Sequence, residues 1–355
     1  MELVSIRELR KRAEIAPAPF EIHAQIESAS KKTARSGKPF IELKLADGED
    51  AMVIRAWEEA PAYQQASNLN GGAFVRVVGG WFRNDPYGIE PQDWSVTELS
   101  EEEARQLLGG SEERRVKQDA DFAEITAFIE EMSDPRLKGV CGAFLKQFGD
   151  RFRRTGAARN YHHARRGGLV EHVAQMMRCA RAVCSVYPKL NRDLVVAGVL
   201  FHDCGKLWEN CYAEADFTMP YTDVGELISH IPLGMELVNK LWRELMESEE
   251  AKTWKEAKPT NDQVRLHLLH LIGSHHGEMA FGAPVVPKTP EAIVLHHVDN
   301  IDAKYEMFDR GYETSSLLSK NIFERVRPLP SRMVRPLGAF LPPGAEDEPP
   351  AAEPF

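Results

Sequence analysis

The sequence predicts two domains of different class, a small all-β barrel followed by an all-α domain, and three observations carry that expectation. From Pro19 to about Leu99, apolar residues alternate with period two in short runs cut by Gly, Asp and Asn. From Asp119 to about Val326 they recur at helical spacing. Between the two patterns, residues 109–118 form a polar stretch of both charge signs that reads as a linker. A length of 355 residues suits two domains, and 43% hydrophobic residues are ample for their cores.

The β segment is built from FEIHAQIES, FIELKLADG, AMVIRAW, FVRVVGGWF and GIEPQDWSV, with Asp47-Gly48 as a turn between the second and third runs. Trp57 to Asn68 reads as a short helix before the fourth run, and five strands with one helix in that place suggest an OB-type barrel. Ser100 and Glu103 are spaced as a capping box at the start of a short acidic helix ending at Leu108. The divisions are therefore a barrel with a flanking helix over 1–108, the linker over 109–118, a helical domain over 119–327, and a disordered tail over 328–355 that is rich in proline and acid.

Composition excludes several classes. A net charge of −10 argues against broad coating of nucleic acid, though a local basic groove is compatible with it. MELVSIRELRKR has no apolar core of a signal peptide and the apolar run Leu194 to Phe201 is too short to span a bilayer, so no membrane is involved and a cytoplasmic location is expected. Cys141, Cys179, Cys184, Cys204 and Cys211 form no CxxC pair and read as reduced thiols. Gly79-Gly80 and Gly167-Gly168 lack the phosphate-loop pattern.

The helical segment carries the chemistry. His172, the pair His202-Asp203, His230, His275 with His276, and Asp299 each fall on a separate predicted helix. His172 edges the stripe Leu169, Val173, Met176, Ala180 and Val183. His230 aligns with Leu227, Gly234, Leu237 and Leu241 on a helix beginning near Asp223, His275 with Val264, Leu268 and Leu271, and Asp299 with Ala292, Leu295 and Ala303. Unpaired imidazoles and carboxylates on apolar faces are costly, and convergence on metal removes the cost. Eleven of the 12 histidines lie between His162 and His297, a concentration that a scattered structural role does not predict. Phase favours His275 over its neighbour His276, and both are kept as ligands. Lys206, three residues beyond Asp203, is a candidate phosphate contact, with a purely structural helix-end role as the alternative.

These residues carry a family resemblance. Glu171-His172, HDCGK from His202, SHHG from Ser274 and DNIDAK from Asp299 resemble the HD-domain metal-dependent phosphohydrolases. The longer strings NYHHARRGGLVEH, AGVLFHDCGKLWE and SHHGEMAFGAPVVPKTPEAIVLHHVDNIDAK, after a barrel bearing KKTARSGKPFIELKLADG, are similar to the YhaM-type 3′-to-5′ exoribonucleases. The resemblance implies hydrolysis of single-stranded RNA, with single-stranded DNA as a second candidate, to nucleoside 5′-monophosphates. It also implies two divalent ions, with manganese first and iron, cobalt, nickel or zinc suiting the same ligand types. His172, His202, Asp203 and Asp299 would hold one ion, and Asp203 would bridge to a second held by His230 and His275, with His276 close by. Asp203 is thus central to catalysis, and Lys206 would assist. Arg165-Arg166 stand where the family pattern leads one to expect an aromatic or small residue.

Substrate delivery has its own signals. Arg151 to Arg166 contains six arginines and no acid, interleaved with aromatic and histidine side chains, which suits single-stranded nucleic acid; Arg159, His163, Arg165 and Arg166 are the candidates there. In the barrel, Lys31, Lys32, Arg35, Lys38 and Phe40 cluster at the first hairpin, with Trp57, Trp81 and Tyr87 as further stacking candidates. Two rival functions remain: an HD phosphohydrolase of a small nucleotide or cyclic dinucleotide, distinguished by competition between RNA and mononucleotides, and a noncatalytic nucleic-acid-binding protein with one structural metal, distinguished by metal content. Oligomeric state is not legible.

Overall fold

A computed structural model describes residues 1–34, 36–48, 50–84, 88–217 and 219–338, without the side chains of residues 14 and 15. The chain divides into a large unit, Met1–Ala303, and a small one, Lys304–Phe355.

The large unit begins with β1 (Glu2–Leu3) and α1 (Ile6–Ile15), followed by β2 (Ala18–Thr33), β3 (Pro39–Ala46), β4 (Ala51–Trp57), α2 (Ala62–Ser67), β5 (Phe74–Asn84) and β6 (Gly88–Glu98). The strands pair in the order β4-β3-β2-β5-β6, and β1 adds in parallel to β2. Alternation drives the curl, for Phe20, Ile22, Ala24 and Ile26 of β2 and Val75 and Val77 of β5 all turn to one buried side. A register shift between Ile26 and Ser28 bends β2, so that its first half pairs with β5 and its second half with β3. Among the described residues β4 and β6 share no ladder, and one ion pair, Arg55 Nη1 with Glu90 Oε1 at 2.7 Å, spans the gap between them. This is an open OB-type barrel with α2 in the predicted place. The helix α1, whose Ile6, Leu9 and Ala13 seal one end, is an addition that the β periodicity did not announce.

The capping box at Ser100 is formed in both directions and starts α3 (Glu101–Gly109). The stretch expected to be a linker is mostly helix: α4 (Glu112–Glu130) begins at its third residue after Gly109, capped by the Ser111 side chain. The core then consists of α5 (Pro135–Phe152), α6 (Gly168–Val186), α7 (Arg192–Phe201), the short α8 (Lys206–Glu209) and α9 (Asp223–Ile228), α10 (His230–Met246), α11 (Asn261–Ser274) and α12 (Pro290–Thr314). Every residue of α7 from Leu194 to Phe201 is buried, which explains its uninterrupted apolar run. None of the described helices is long and apolar enough to cross a membrane.

In the small unit, Phe323, Leu329 and Met333 form a buried cluster backed by Phe308 and Tyr312, and Ile322 bridges Val334. The tail expected to be disordered from residue 328 is therefore placed as far as residue 338; the remainder lies outside the described residues.

Candidate metal centre

Three of the candidate ligand histidines sit at helix ends, where backbone turns aim them, whereas His172 and Asp299 lie within α6 and α12. His202 is the C-cap of α7 and His275 the C-cap of α11, while His230 opens α10. The single helix expected around His230 is broken at Ser229, whose φ of +67° lies in the left-handed region. Leu227 is consequently 85% exposed and does not share a face with His230. Gly205 makes the junction possible, because a Cβ there would lie 1.9 Å from the carbonyl oxygen of His230. The glycine of HDCGK thus lets α10 start directly against the His202-Asp203 turn. Gly168 serves α6 in the same way against the carbonyl of His163, also at 1.9 Å.

Asp203 is the hinge of the site. Its Oδ2 lies 3.2 Å from His202 Nε2 and 3.9 Å from His172 Nε2, and His172 Nε2 lies 3.3 Å from Asp299 Oδ1. Its Oδ1 faces the other way, 3.5 Å from His230 Nε2 and 3.6 Å from His275 Nε2. Asp203 Oδ1, His230 Nε2 and His275 Nε2 are buried and have no hydrogen-bond partner. Buried orphans are costly, and their spacing points to what relieves them. Two atoms each about 2.1 Å from one ion in tetrahedral geometry lie roughly 3.4 Å apart. The donor set therefore fits divalent metal. His230, His275 and His276 gather ligand atoms within 4.8 Å, as do His172, His202 and Asp203.

A single rule orients the imidazoles. Nδ1 of His172 pairs with Asp302 Oδ2 at 2.6 Å, that of His202 with the Val199 carbonyl at 2.8 Å, that of His230 with Glu209 Oε2 at 2.9 Å, that of His275 with the Ile272 carbonyl at 2.8 Å and that of His276 with the Phe281 carbonyl at 2.6 Å. With each Nδ1 donating outward, an uncharged ring turns the lone pair of Nε2 toward the other candidate ligands.

Charge completes the arrangement. Burial lowers the pKa values of His230, His275 and His276, keeping them neutral and ligand-competent. His172 goes the other way: burial is outweighed by Asp299 and Asp302, which raise it to about 10. Burial works against ionisation of Asp203 as well, yet Lys206 and His202 hold it well below the usual carboxylate range. Lys206 Nζ contacts Asp203 Oδ2 and the Ala157 carbonyl, each at 2.6 Å, and is buried; it steadies Asp203 rather than reaching toward open space. Burial raises the Cys204 thiol, so Cys204 is inert packing.

The basic run has a different use from the one expected. His163 is fully buried, φ +44°, and bonds Asp302 Oδ2 at 2.9 Å, so it cannot meet RNA. Arg159 donates to the carbonyls of Glu209, Met219 and Pro220, Arg166 to those of Ala213, Glu214 and Asp216, and Arg165 binds Glu171. These guanidiniums fasten the segment 209–220 and the α6 start. That segment reaches the barrel, where the Phe217 amide donates to Gln25 Oε1 at 2.9 Å. In the barrel, Lys31 is exposed, Lys32 pairs with Glu42 at 2.6 Å and Lys38 with Glu59 at 2.9 Å. Phe40 and Trp57 pack against each other across β3 and β4 with centroids 4.9 Å apart and ring planes tilted by 38°, whereas Trp81 is core and donates to the Phe20 carbonyl. Arg35 and Tyr87 lie outside the described residues.

Sequence reasoning missed the carboxylates behind the ligands. Asp302 follows Asp299 by three residues on one helical face, a signal within DNIDAK that was available. Glu209 stands three residues after Lys206, and Glu171 immediately precedes His172. His162, half-buried with Nδ1 lacking a partner, stacks near His172 with ring centroids 5.3 Å apart.

The profile of a family described as "HD domain" matches residues 169–304. The chain is 32% identical over 306 residues to a Bacillus licheniformis protein named 3′-5′ exoribonuclease YhaM, covering 82% of this chain and 87% of that protein. A Listeria welshimeri protein of the same name is 32% identical over 294 residues, again covering 82% and 87%. A Geobacillus protein of that name is 30% identical over 293 residues, covering 82% and 85%.

Proposed function

The chain belongs to the family of the YhaM 3′-5′ exoribonucleases, and from that premise we propose that it hydrolyses single-stranded RNA, and single-stranded DNA as a second substrate, from the 3′ end to nucleoside 5′-monophosphates in the cytoplasm. The proposal includes two divalent ions, manganese first. The observation that carries it is the division of Asp203, with Oδ2 serving His172, His202 and the Asp299 side and Oδ1 serving His230 and His275. A single structural ion would be closed by four ligands on one side of one carboxylate.

His172, His202, Asp203 and Asp299 would hold one ion, and Asp203, His230, His275 and His276 the other. The chemistry that divalent ions supply in such a setting is polarisation of phosphoryl oxygens and acidification of an attacking water. Asp203 fixes the two sets relative to each other, and Lys206 keeps its carboxylate charged and oriented. Without metal, Asp299 and Asp302 favour the protonated form of His172, and the ring would serve as a ligand only when uncharged. The barrel's Lys31, Lys32 and Lys38, with Phe40, would guide the strand. Surface ion pairs such as those to Glu42 and Glu59 are weak enough for phosphate to displace.

The test is 5′-end-labelled single-stranded RNA with purified protein and manganese, which should give a ladder of stepwise shortening that Asp203→Asn eliminates while the thermal melt remains cooperative. No shortening with manganese, iron, cobalt, nickel or zinc would overturn the assignment.

A further inference from the structure

We propose that Phe281 is a stacking platform for the base of the 3′-terminal nucleotide, a positioning role that rests on the exoribonuclease reading of the adjacent centre. Phe281 ends a 3₁₀ turn, Met279–Phe281, that follows the ligand pair His275-His276 directly. Its backbone carbonyl accepts from Nδ1 of His276, whose ring is grouped with His230 and His275, so the residue is one imidazole away from the candidate metal ligands.

The turn around it is hydrogen-bonded throughout. Phe281 N–H bonds the Glu278 carbonyl at 3.0 Å, Gly282 N–H the Met279 carbonyl at 3.0 Å, and Glu278 N–H the His276 carbonyl at 2.9 Å. Gly277 and Gly282, with φ of +78° and +92°, bracket it in a conformation other residues resist. At Gly277 a Cβ would lie 2.2 Å from the His296 ring, which itself bonds the His275 carbonyl. Against this fixed backbone, the Phe281 side chain is 66% exposed and Met279 is 70% exposed.

A lone exposed apolar residue is ordinary on a protein surface. A large aromatic ring held to solvent by a turn that is itself pinned to a ligand of the reaction centre is a different case. A 3′ exonuclease acting on any sequence needs to seat the terminal nucleoside without reading its edge, and an aromatic face does that because every base offers a π-surface. Stacking also explains why the position carries a ring with no polar tip.

The experiment uses the manganese-loaded protein and an oligoribonucleotide with 2-aminopurine at its 3′ end and a phosphorothioate at the last linkage to slow hydrolysis. Equilibrium quenching of 2-aminopurine is expected with the wild type and with Phe281→Trp, and is expected to be lost in Phe281→Ala. On unmodified RNA, Phe281→Ala should raise KM roughly five- to a hundred-fold with kcat little changed. An RNA with an abasic 3′ end should lose the same factor with the wild type and nothing further with the variant. Undiminished quenching and KM in Phe281→Ala, or wild-type indifference to the abasic end, overturns the platform. Quenching without any shortening of unmodified RNA would instead strike the exoribonuclease reading and leave the stacking in place.

Discussion

Replacing Asp302 by asparagine tests the orientation rule at its strongest point. Oδ2 of Asp302 takes Nδ1 of His172 at 2.6 Å and Nε2 of His163 at 2.9 Å, all three side chains being buried. Asparagine keeps the shape but removes the charge that both imidazoles share at one oxygen; its amide oxygen accepts from them more weakly, and where its NH2 takes that place instead the rings lose their acceptor. A ring without its acceptor changes tautomer or loses its bond. If His172 changes, its proton moves to Nε2, the atom facing Asp299 at 3.3 Å, and the ring can no longer serve a metal. Loss of such a partner costs about 10- to 100-fold in metal affinity, or roughly 1.4–2.7 kcal/mol. Chelator-stripped protein titrated calorimetrically with manganese should show one weakened site, and RNA cleavage should recover as manganese is raised. Wild-type manganese affinity together with wild-type cleavage at limiting metal would refute the orientation argument.

Two further outcomes follow from the packing and the charges. Gly205→Ala drives a Cβ to 1.9 Å from the His230 carbonyl and to 2.8 Å from the Gly234 amide, both backbone atoms; a loss of about 3 kcal/mol in denaturant unfolding, the upper end of what overpacking costs, with metal binding by His230 impaired, is expected. An unchanged unfolding midpoint would show that α10 slides away freely. Glu171→Gln addresses pH. Burial would raise the Glu171 pKa, but His163, Arg165 and Gln118 hold it below its ordinary 4.5. Because the folded value is the lower one, the stabilisation is complete above about pH 4.5 and fades as pH falls further. In metal-free protein the variant should be roughly 2 kcal/mol less stable at neutral pH and should show a flatter acid limb in melting temperature, and identical acid limbs would exclude Glu171 as a source of the pH dependence.

Much of this was legible because the signals are local. Alternation over β2 to β6, the full burial of α7, and the capping pair Ser100 and Glu103 are each decided within one segment, and all appear in the fold. The six side chains expected as ligands stood out for a related reason, as polar groups against apolar runs, and the fold brings them together. What could not be read was set by packing between segments. The break at Ser229 depends on the approach of α10 to Gly205, and no propensity at residues 223–230 announces it. The arginines of residues 151–166 looked like a nucleic-acid track because charge shows in sequence and carbonyl partners do not. Arg159 and Arg166 together donate to six main-chain carbonyls between residues 209 and 220. A loop without regular structure has unsatisfied acceptors, and guanidinium forks are suited to collecting them.

The two halves of the centre differ in a way that follows from how their histidines are backed. Each half has one ring tied to a main-chain carbonyl three residues earlier at a helix C-cap, His202 to Val199 and His275 to Ile272, and one tied to a carboxylate, His172 to Asp302 and His230 to Glu209. The carbonyl-backed pair is held by the helix end that presents it, whereas the carboxylate-backed pair depends on residues that reach it from other elements. The halves then diverge in charge. His172 is flanked by Asp299 and Asp302, whereas His230 meets Glu209 beside two neutral imidazoles. The His172 half is thus the more anionic, with Asp299 and Asp302 favouring the protonated form of His172, while the His230 half keeps the buried Nε2 atoms of His230 and His275 unpartnered. Asp203, with one oxygen in each half, ties their occupancies together: its carboxylate cannot turn toward one set without leaving the other.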